Sequence, residues 1–204
     1  MSQLLEDETL NLYAGEYQLA TAKRPFLLEG GKKLTNGVLA YETYGALNIE
    51  KDNAILVFHA LSGSQHAAGF RESLSGSVDR LWTVECKIGW WDKFIGKNKV
   101  IDTSKYFVIC VNYLGGCYGS TGPNSINPDS GQKYMGSFPW ISFVDIVRSQ
   151  MELVESFKIK SLFAIAGSSL GGLLALTTTM LYPEKVQRII SIASGLTLQP
   201  LQII

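Results

Sequence analysis

Leu162-Phe-Ala-Ile-Ala-Gly167-Ser168-Ser169-Leu170-Gly171-Gly172 is the stretch that decides how the rest of the chain is read. Leu162–Ala166 is a continuous apolar run ending at a glycine, the pattern of a short strand covered on both faces. From Ser169 a helical segment reaches to about Tyr182 and is stopped by Pro183. The Gly167-x-Ser169-x-Gly171 motif therefore lies where a strand turns sharply into a helix, the context that holds such a serine exposed as a nucleophile. The turn strains the serine backbone, and the flanking glycines are needed where a Cβ would strike neighbouring backbone. At a strand's carboxyl end and a helix's N-terminus, Ser169 also faces the positive end of a dipole. The competing interpretation is an ordinary N-cap serine. Ser168 would fill that role equally well, and the strand–turn–helix context favours the nucleophile.

Working outward, Ala54–Phe58 (AILVF) and Tyr106–Val111 (YFVICV) are two more strands of the buried type, and Val186–Ile192 is a further strand. Phe26–Leu28 and Gly37–Tyr44 flank the turn-forming EGGKKLTN and predict an antiparallel hairpin that opens the sheet. Between Ile141 and Phe157 apolar residues recur at spacings of three and four, predicting an amphipathic helix with Asp145, Arg148, Gln150 and Glu152 facing out. Strands alternating with helices predict one domain over residues 1–204: a mostly parallel sheet with helices on both faces. Residues 112–131 carry five glycines and two prolines and must be loop. Residues 89–94 and 112–123 are expected to line the cleft at Ser169.

A reactive serine needs donors for the oxyanion. In a strand–elbow–helix site these are the amide after the nucleophile and one from the loop following an earlier strand. The loop after AILVF is His59-Ala60-Leu61-Ser62-Gly63, so the donors would be the backbone N–H groups of Leu61 and Leu170. His59 precedes Ser169, whereas the base of such a site follows its nucleophile; a structural histidine shaping the loop is the better assignment. His66 has no special context and receives no role.

Composition narrows the partners. The chain is 46% hydrophobic and 18% charged, with 18 basic and 18 acidic residues and no block of like charge. That argues against nucleic acid as a partner. The three cysteines, Cys86, Cys110 and Cys117, form no CxxC pair and suggest no disulfide framework. Cys110, inside an apolar run, is expected to be a small buried hydrophobe. The acidic N-terminus lacks a basic region followed by an apolar one, and the apolar stretches are too short to span a bilayer. A cytoplasmic location without membrane attachment is the expectation.

Five segments in order carry a family resemblance: LAYETYG (39–45), FHALSGSQHAAG (58–69), GWWD (89–92), IDTSKYFVICVNYLGGCYGSTGP (101–123) with SINP (125–128), and AGSSLGG (166–172). The chain resembles the homoserine O-acetyltransferase family of α/β-hydrolase-fold homoserine and serine O-acyltransferases. The loop run NxLGGCxGSTGPxSxNP is far more specific than the serine motif. The resemblance implies an α/β-hydrolase fold with Ser169 as nucleophile and Leu61 and Leu170 as oxyanion-hole residues. It also implies transfer of an acetyl or succinyl group from acyl-CoA to the L-homoserine hydroxyl through a serine acyl-enzyme, in methionine biosynthesis. Acetyl-CoA would enter as a co-substrate with no resident cofactor or metal, and the full-length enzyme would be a homodimer. After Ser169 the sequence has Leu-Gly-Gly-Leu-Leu, where the family usually has Met-Gly-Gly-Met-Gln.

After Ser169 there is no histidine, and the sole carboxylate is Glu184. The triad acid and histidine of this fold come from later strands. The expectation is therefore a fold truncated before its last strands and lid, inactive alone for want of a base. A serine esterase of the same fold, using water as acceptor, and a non-catalytic binding module are the alternatives.

Overall fold

The computed structural model describes residues 10–73 and 82–195. In chain order the strands are β1 (Tyr13–Ala20), β2 (Phe26–Leu27), β3 (Lys33–Leu34), β4 (Gly37–Tyr44), β5 (Ala54–Phe58), β6 (Phe107–Val111), β7 (Ala164–Ser168) and β8 (Ile189–Ile192). The helices are α1 (Phe143–Ser156) and α2 (Leu170–Leu181). Six strands form one sheet in the order β1-β4-β6-β5-β7-β8. Its β6, β5, β7 and β8 are parallel, while β1 and β4 pair antiparallel at one side.

The central strands are apolar at every position because both of their faces are covered. Leu56, Phe58, Ile109 and Val111 enter one cluster with Ile146, Val147 and Leu174 from the two helices. The intervening Ile55, Val57, Val108 and Cys110 point the other way, onto Ala67, Ala68, Ile95 and Ile101. Cys110 is fully buried, as expected, and burial pushes its thiol pKa well up. Helices on both faces were expected. Among the described residues α1 and α2 pack together on one face, and the segment between β5 and β6, mostly non-helical, covers the other.

Other expectations need correction. Gly37–Tyr44 is a strand, but its hairpin partner is Tyr13–Ala20; Phe26–Leu27 pairs with Lys33–Leu34 in a separate two-stranded sheet. β1 escaped notice because its first six residues, exposed or half-buried, include Ala14, Gly15 and Glu16, residue types depleted in strands. β8 begins at Ile189 rather than Val186, and its four residues are all exposed. On α1, Arg148 and Glu152 face out, whereas Asp145 and Gln150 are buried. Asp145 is drawn in by capping: Ser142 Oγ accepts its N–H at 3.1 Å, and its Oδ2 accepts the Ser142 N–H at 3.1 Å. Its Oδ1 also accepts the Glu29 N–H at 2.8 Å, tying the turn after β2 to the helix. Gln150 has neither amide atom hydrogen-bonded among the described residues. No described helix is long and apolar enough to cross a membrane.

Strand order then places the site. From β5 the chain moves to β6 on one side, while from β7 it moves through α2 to β8 on the other. The connections diverge between the carboxyl ends of β5 and β7, the switch point at which ligands of parallel sheets bind.

Candidate active site

Ser169 stands between β7 and α2 with φ 54° and ψ −123°, a backbone conformation that L-residues rarely adopt. Such strain costs on the order of 1–3 kcal/mol and persists only where the surroundings enforce it. They do so through glycine contacts. A Cβ on Gly167 would lie 2.3 Å from the Gly171 carbonyl oxygen, and one on Gly171 would lie 2.3 Å from that of Phe58. The Ser169 N–H donates to the Ile192 carbonyl at 2.9 Å, and its own carbonyl accepts the Leu173 N–H at 3.1 Å. The Ser169 side chain makes no capping bond to α2, which removes the N-cap interpretation. The residue is exposed, with its hydroxyl uncommitted to the helix.

β5 and β7 are neighbours in register, with Phe58 opposite Gly167. The residues after each strand therefore leave from the same end of the sheet. Leu61 sits in a turn closed by a Gly63 N–H to Ala60 carbonyl bond of 2.9 Å, and the residue is 81% exposed. Leu170 is the first residue of α2, so its N–H has no acceptor within the helix. The first turn of α2 rests on the exit from β5, since the Gly171 Cβ position also lies 2.7 Å from the His59 carbonyl oxygen. Ser169, Leu170 and the Leu61 turn are thus brought to one sheet end.

Both histidines are buried. His59 stacks on Tyr113 with ring centroids 3.7 Å apart, and its Nδ1 lies 2.7 Å from the Ala60 carbonyl. Burial lowers its pKa to about 4, so the ring is neutral above that pH. Its loop-shaping assignment agrees with this geometry. His66, given no role from sequence, belongs to a buried polar cluster. Its Nδ1 is 2.9 Å from Glu42 Oε2 and its Nε2 is 3.2 Å from the Lys87 carbonyl. Glu42 also accepts from the Tyr44 hydroxyl at 2.6 Å and from Arg71 at 2.7 Å. Burial raises the Glu42 pKa, but the His66 hydrogen bond and charge, with the Tyr44 and Arg71 bonds, outweigh it and hold the group below its ordinary 4.5. The carboxylate in the apolar run LAYETYG was the available signal for this cluster.

The two loops expected to line the cleft at Ser169 do meet, but around a cavity that Ser169 does not line. Trp90 and Tyr118 join Ser62, Gly63, Ser64 and His66 around a cavity of about 150 Å³ beside the Leu61 turn. A larger hollow of about 400 Å³ lies between β1, β4 and the loop after β6, lined by Glu16, Val38, Thr121 and Lys133 among others. Ser169 lines neither cavity.

Comparison with known proteins bears on this geometry. The profile of the alpha/beta hydrolase fold family matches residues 53–203. A homoserine O-acetyltransferase from Methanohalobium evestigatum is 49% identical over 177 residues, covering 87% of this chain and 34% of that protein. One from Deferribacter desulfuricans is 43% identical over 199 residues, covering 98% of this chain and 50% of the relative. The chain therefore spans about a third to a half of the length of these relatives. The crystal structure of homoserine O-acetyltransferase from Bacillus anthracis superposes with a TM-score of 0.75 at 35% identity, over 87% of this chain and 45% of that one. Esterase E22 superposes with a TM-score of 0.74 at 35% identity, over 87% and 46%. By its serine elbow, its sheet order and the profile match over most of its length, the chain belongs to the alpha/beta hydrolase fold family.

Proposed function

We propose that this chain carries the nucleophile and oxyanion hole of a homoserine O-acyltransferase. The observation that carries the reading is the uncommitted Ser169 hydroxyl on a strained elbow, in a chain 43–49% identical to curated homoserine O-acetyltransferases. In the proposed reaction Ser169 Oγ attacks the acyl-CoA thioester carbonyl while the Leu61 and Leu170 amides hold the oxyanion. The tetrahedral intermediate collapses with loss of CoA as its thiol, leaving an acyl ester on Ser169. The homoserine hydroxyl then attacks that ester, releasing O-acyl-homoserine and restoring the serine. Each step moves a proton through a general base. His59 is buried and neutral, and both His66 ring nitrogens face other acceptors. The proposal assigns the base to the part of the relatives' length that this chain does not span. No resident cofactor enters the scheme, and the full-length enzyme is taken as a cytoplasmic homodimer.

A second reading, a serine esterase, is favoured by the equal likeness to esterase E22. The two share the acyl-enzyme and differ in the acceptor: transfer requires a site that excludes water and orients the alcohol. The discriminating experiment uses full-length protein carrying these residues, with acetyl-CoA, and with and without homoserine. A transferase releases CoA at a sustained rate only with homoserine and forms O-acetyl-homoserine. Equal CoA release without homoserine, yielding acetate, would establish the esterase instead.

A further inference from the structure

We infer that His59 and Tyr113 are positioning residues that aim the Leu61 N–H at the oxyanion. The inference rests on the acyl-transfer reading of Ser169. Leu61 is poorly placed to aim its own amide through packing, because the residue is 81% exposed. The direction of that N–H is set by the peptide plane it shares with the Ala60 carbonyl. In a trans peptide the two bonds point oppositely, so whatever holds the Ala60 oxygen also aims the Leu61 N–H.

Two donors hold that oxygen. The Gly63 N–H reaches it at 2.9 Å, and His59 Nδ1 lies 2.7 Å from it. Because a carbonyl can only accept, the bond requires the proton on Nδ1. Among the described residues the other ring nitrogen, Nε2, is buried without a hydrogen-bond partner. The ring is therefore kept in place by packing: stacked on Tyr113 at 3.7 Å and 18° between planes, with Gly63 against its Cβ. A Cβ on Gly63 would lie 2.8 Å from that of His59, so the turn lies directly on the residue that orients it. Tyr113 adds a second tether, since its hydroxyl donates to the His59 carbonyl. Two consecutive carbonyls ahead of Leu61 are thus each held by a buried side chain. The neutral ring, with a pKa of about 4, keeps its Nδ1–H arrangement across the ordinary working range.

The test uses full-length enzyme and three variants: His59→Ala, His59→Asn and Tyr113→Phe. Asparagine can place an N–H near the Nδ1 position, and alanine cannot. Losing one oxyanion donor costs about 100- to 1000-fold in kcat. His59→Ala should therefore lower kcat by roughly 100-fold, leaving the KM for acetyl-CoA within a few-fold. His59→Asn should recover at least about a tenfold part of that loss, and Tyr113→Phe should lose about tenfold in kcat. The pH–kcat limbs of His59→Asn should coincide with those of the unmodified enzyme. If His59→Asn is as inactive as His59→Ala the inference fails, and loss of the low-pH limb in that variant would identify His59 as the general base. If the variants change only melting temperature or KM, with kcat intact, the role is structural and the inference also fails. Ser169→Ala, assayed alongside, separates the two claims: acyl-enzyme formation by that variant would sink the underlying reading, whatever the histidine variants do.

Discussion

The elbow at 167–172 and the exit from β5 at 59–68 meet at one end of the sheet, but they are held in opposite ways. The elbow is fixed by backbone against backbone: three glycines within six residues, with Gly167 packed on the Gly171 carbonyl and Gly171 on that of Phe58. The exit is fixed by buried side chains reaching in from elsewhere. His59 and Tyr113 hold the Leu61 turn. Further along, the Tyr44 hydroxyl accepts the Ala67 and Ala68 N–H groups at 2.7 and 3.1 Å, and Glu42 holds His66. A site element can therefore be made rigid by excluding side chains or by recruiting them, and the two kinds of rigidity break differently.

The largest stability effect is expected on the exit side. Glu42→Gln leaves His66 and Arg71 facing a neutral partner in a buried setting, where removing one member of an ion pair costs about 3–5 kcal/mol. Denaturant titration of the full-length protein near neutral pH checks this. The pH dependence follows from the direction of the Glu42 shift. A carboxyl held below 4.5 when folded contributes stability that is present above 4.5 and lost as pH falls through its folded pKa. The gap between the unmodified protein and Glu42→Gln should therefore close on acidification below pH 4.5. A gap that widened there would remove the ion-pair account.

On the elbow side, Gly171→Ala should cost about 2–3 kcal/mol, because its Cβ meets the Phe58 and His59 carbonyl oxygens, which cannot swing away. Gly172→Ala sharpens the point. Its nearest obstacle, 2.2 Å away, is the Ser194 hydroxyl, a side-chain group that can rotate, so the loss should be clearly smaller in the same titration. Equal losses would mean that backbone contact is not what constrains the elbow.

The difference between the two regions also explains what the sequence made legible. The elbow was readable because the serine and the glycines that its close contacts require fall within six residues. So were the central strands, since burial on both faces imposes unbroken apolar runs on β5 and β6. The Glu42–His66 pair was not, because its members lie 24 residues apart and only the fold joins them. β1 was missed because its Ala14-Gly15-Glu16 run consists of residue types depleted in strands. Asp145 was misassigned to the surface by periodicity, although Ser142-x-x-Asp145 carries the capping signature that brings it inward.

Leu61→Ala should have the smallest effect. The residue is 81% exposed, so loss of its side chain should change stability by less than about 0.5 kcal/mol and leave kcat nearly unchanged, since the donor role proposed for Leu61 belongs to its backbone amide. A large fall in kcat would mean that the Leu61 side chain, rather than its N–H, meets the substrate.

The central claim is that Ser169 carries the acyl group, and trapping the intermediate tests it most directly. Full-length protein carrying these residues is mixed with acetyl-CoA without an acceptor, quenched in acid, digested and analysed by peptide mass spectrometry. The account predicts one acetylated peptide containing Ser169, formed within the first turnover and absent from Ser169→Ala, which should lose at least about four powers of ten in turnover. Acetyl ester on a different residue, or normal turnover by Ser169→Ala, would contradict it.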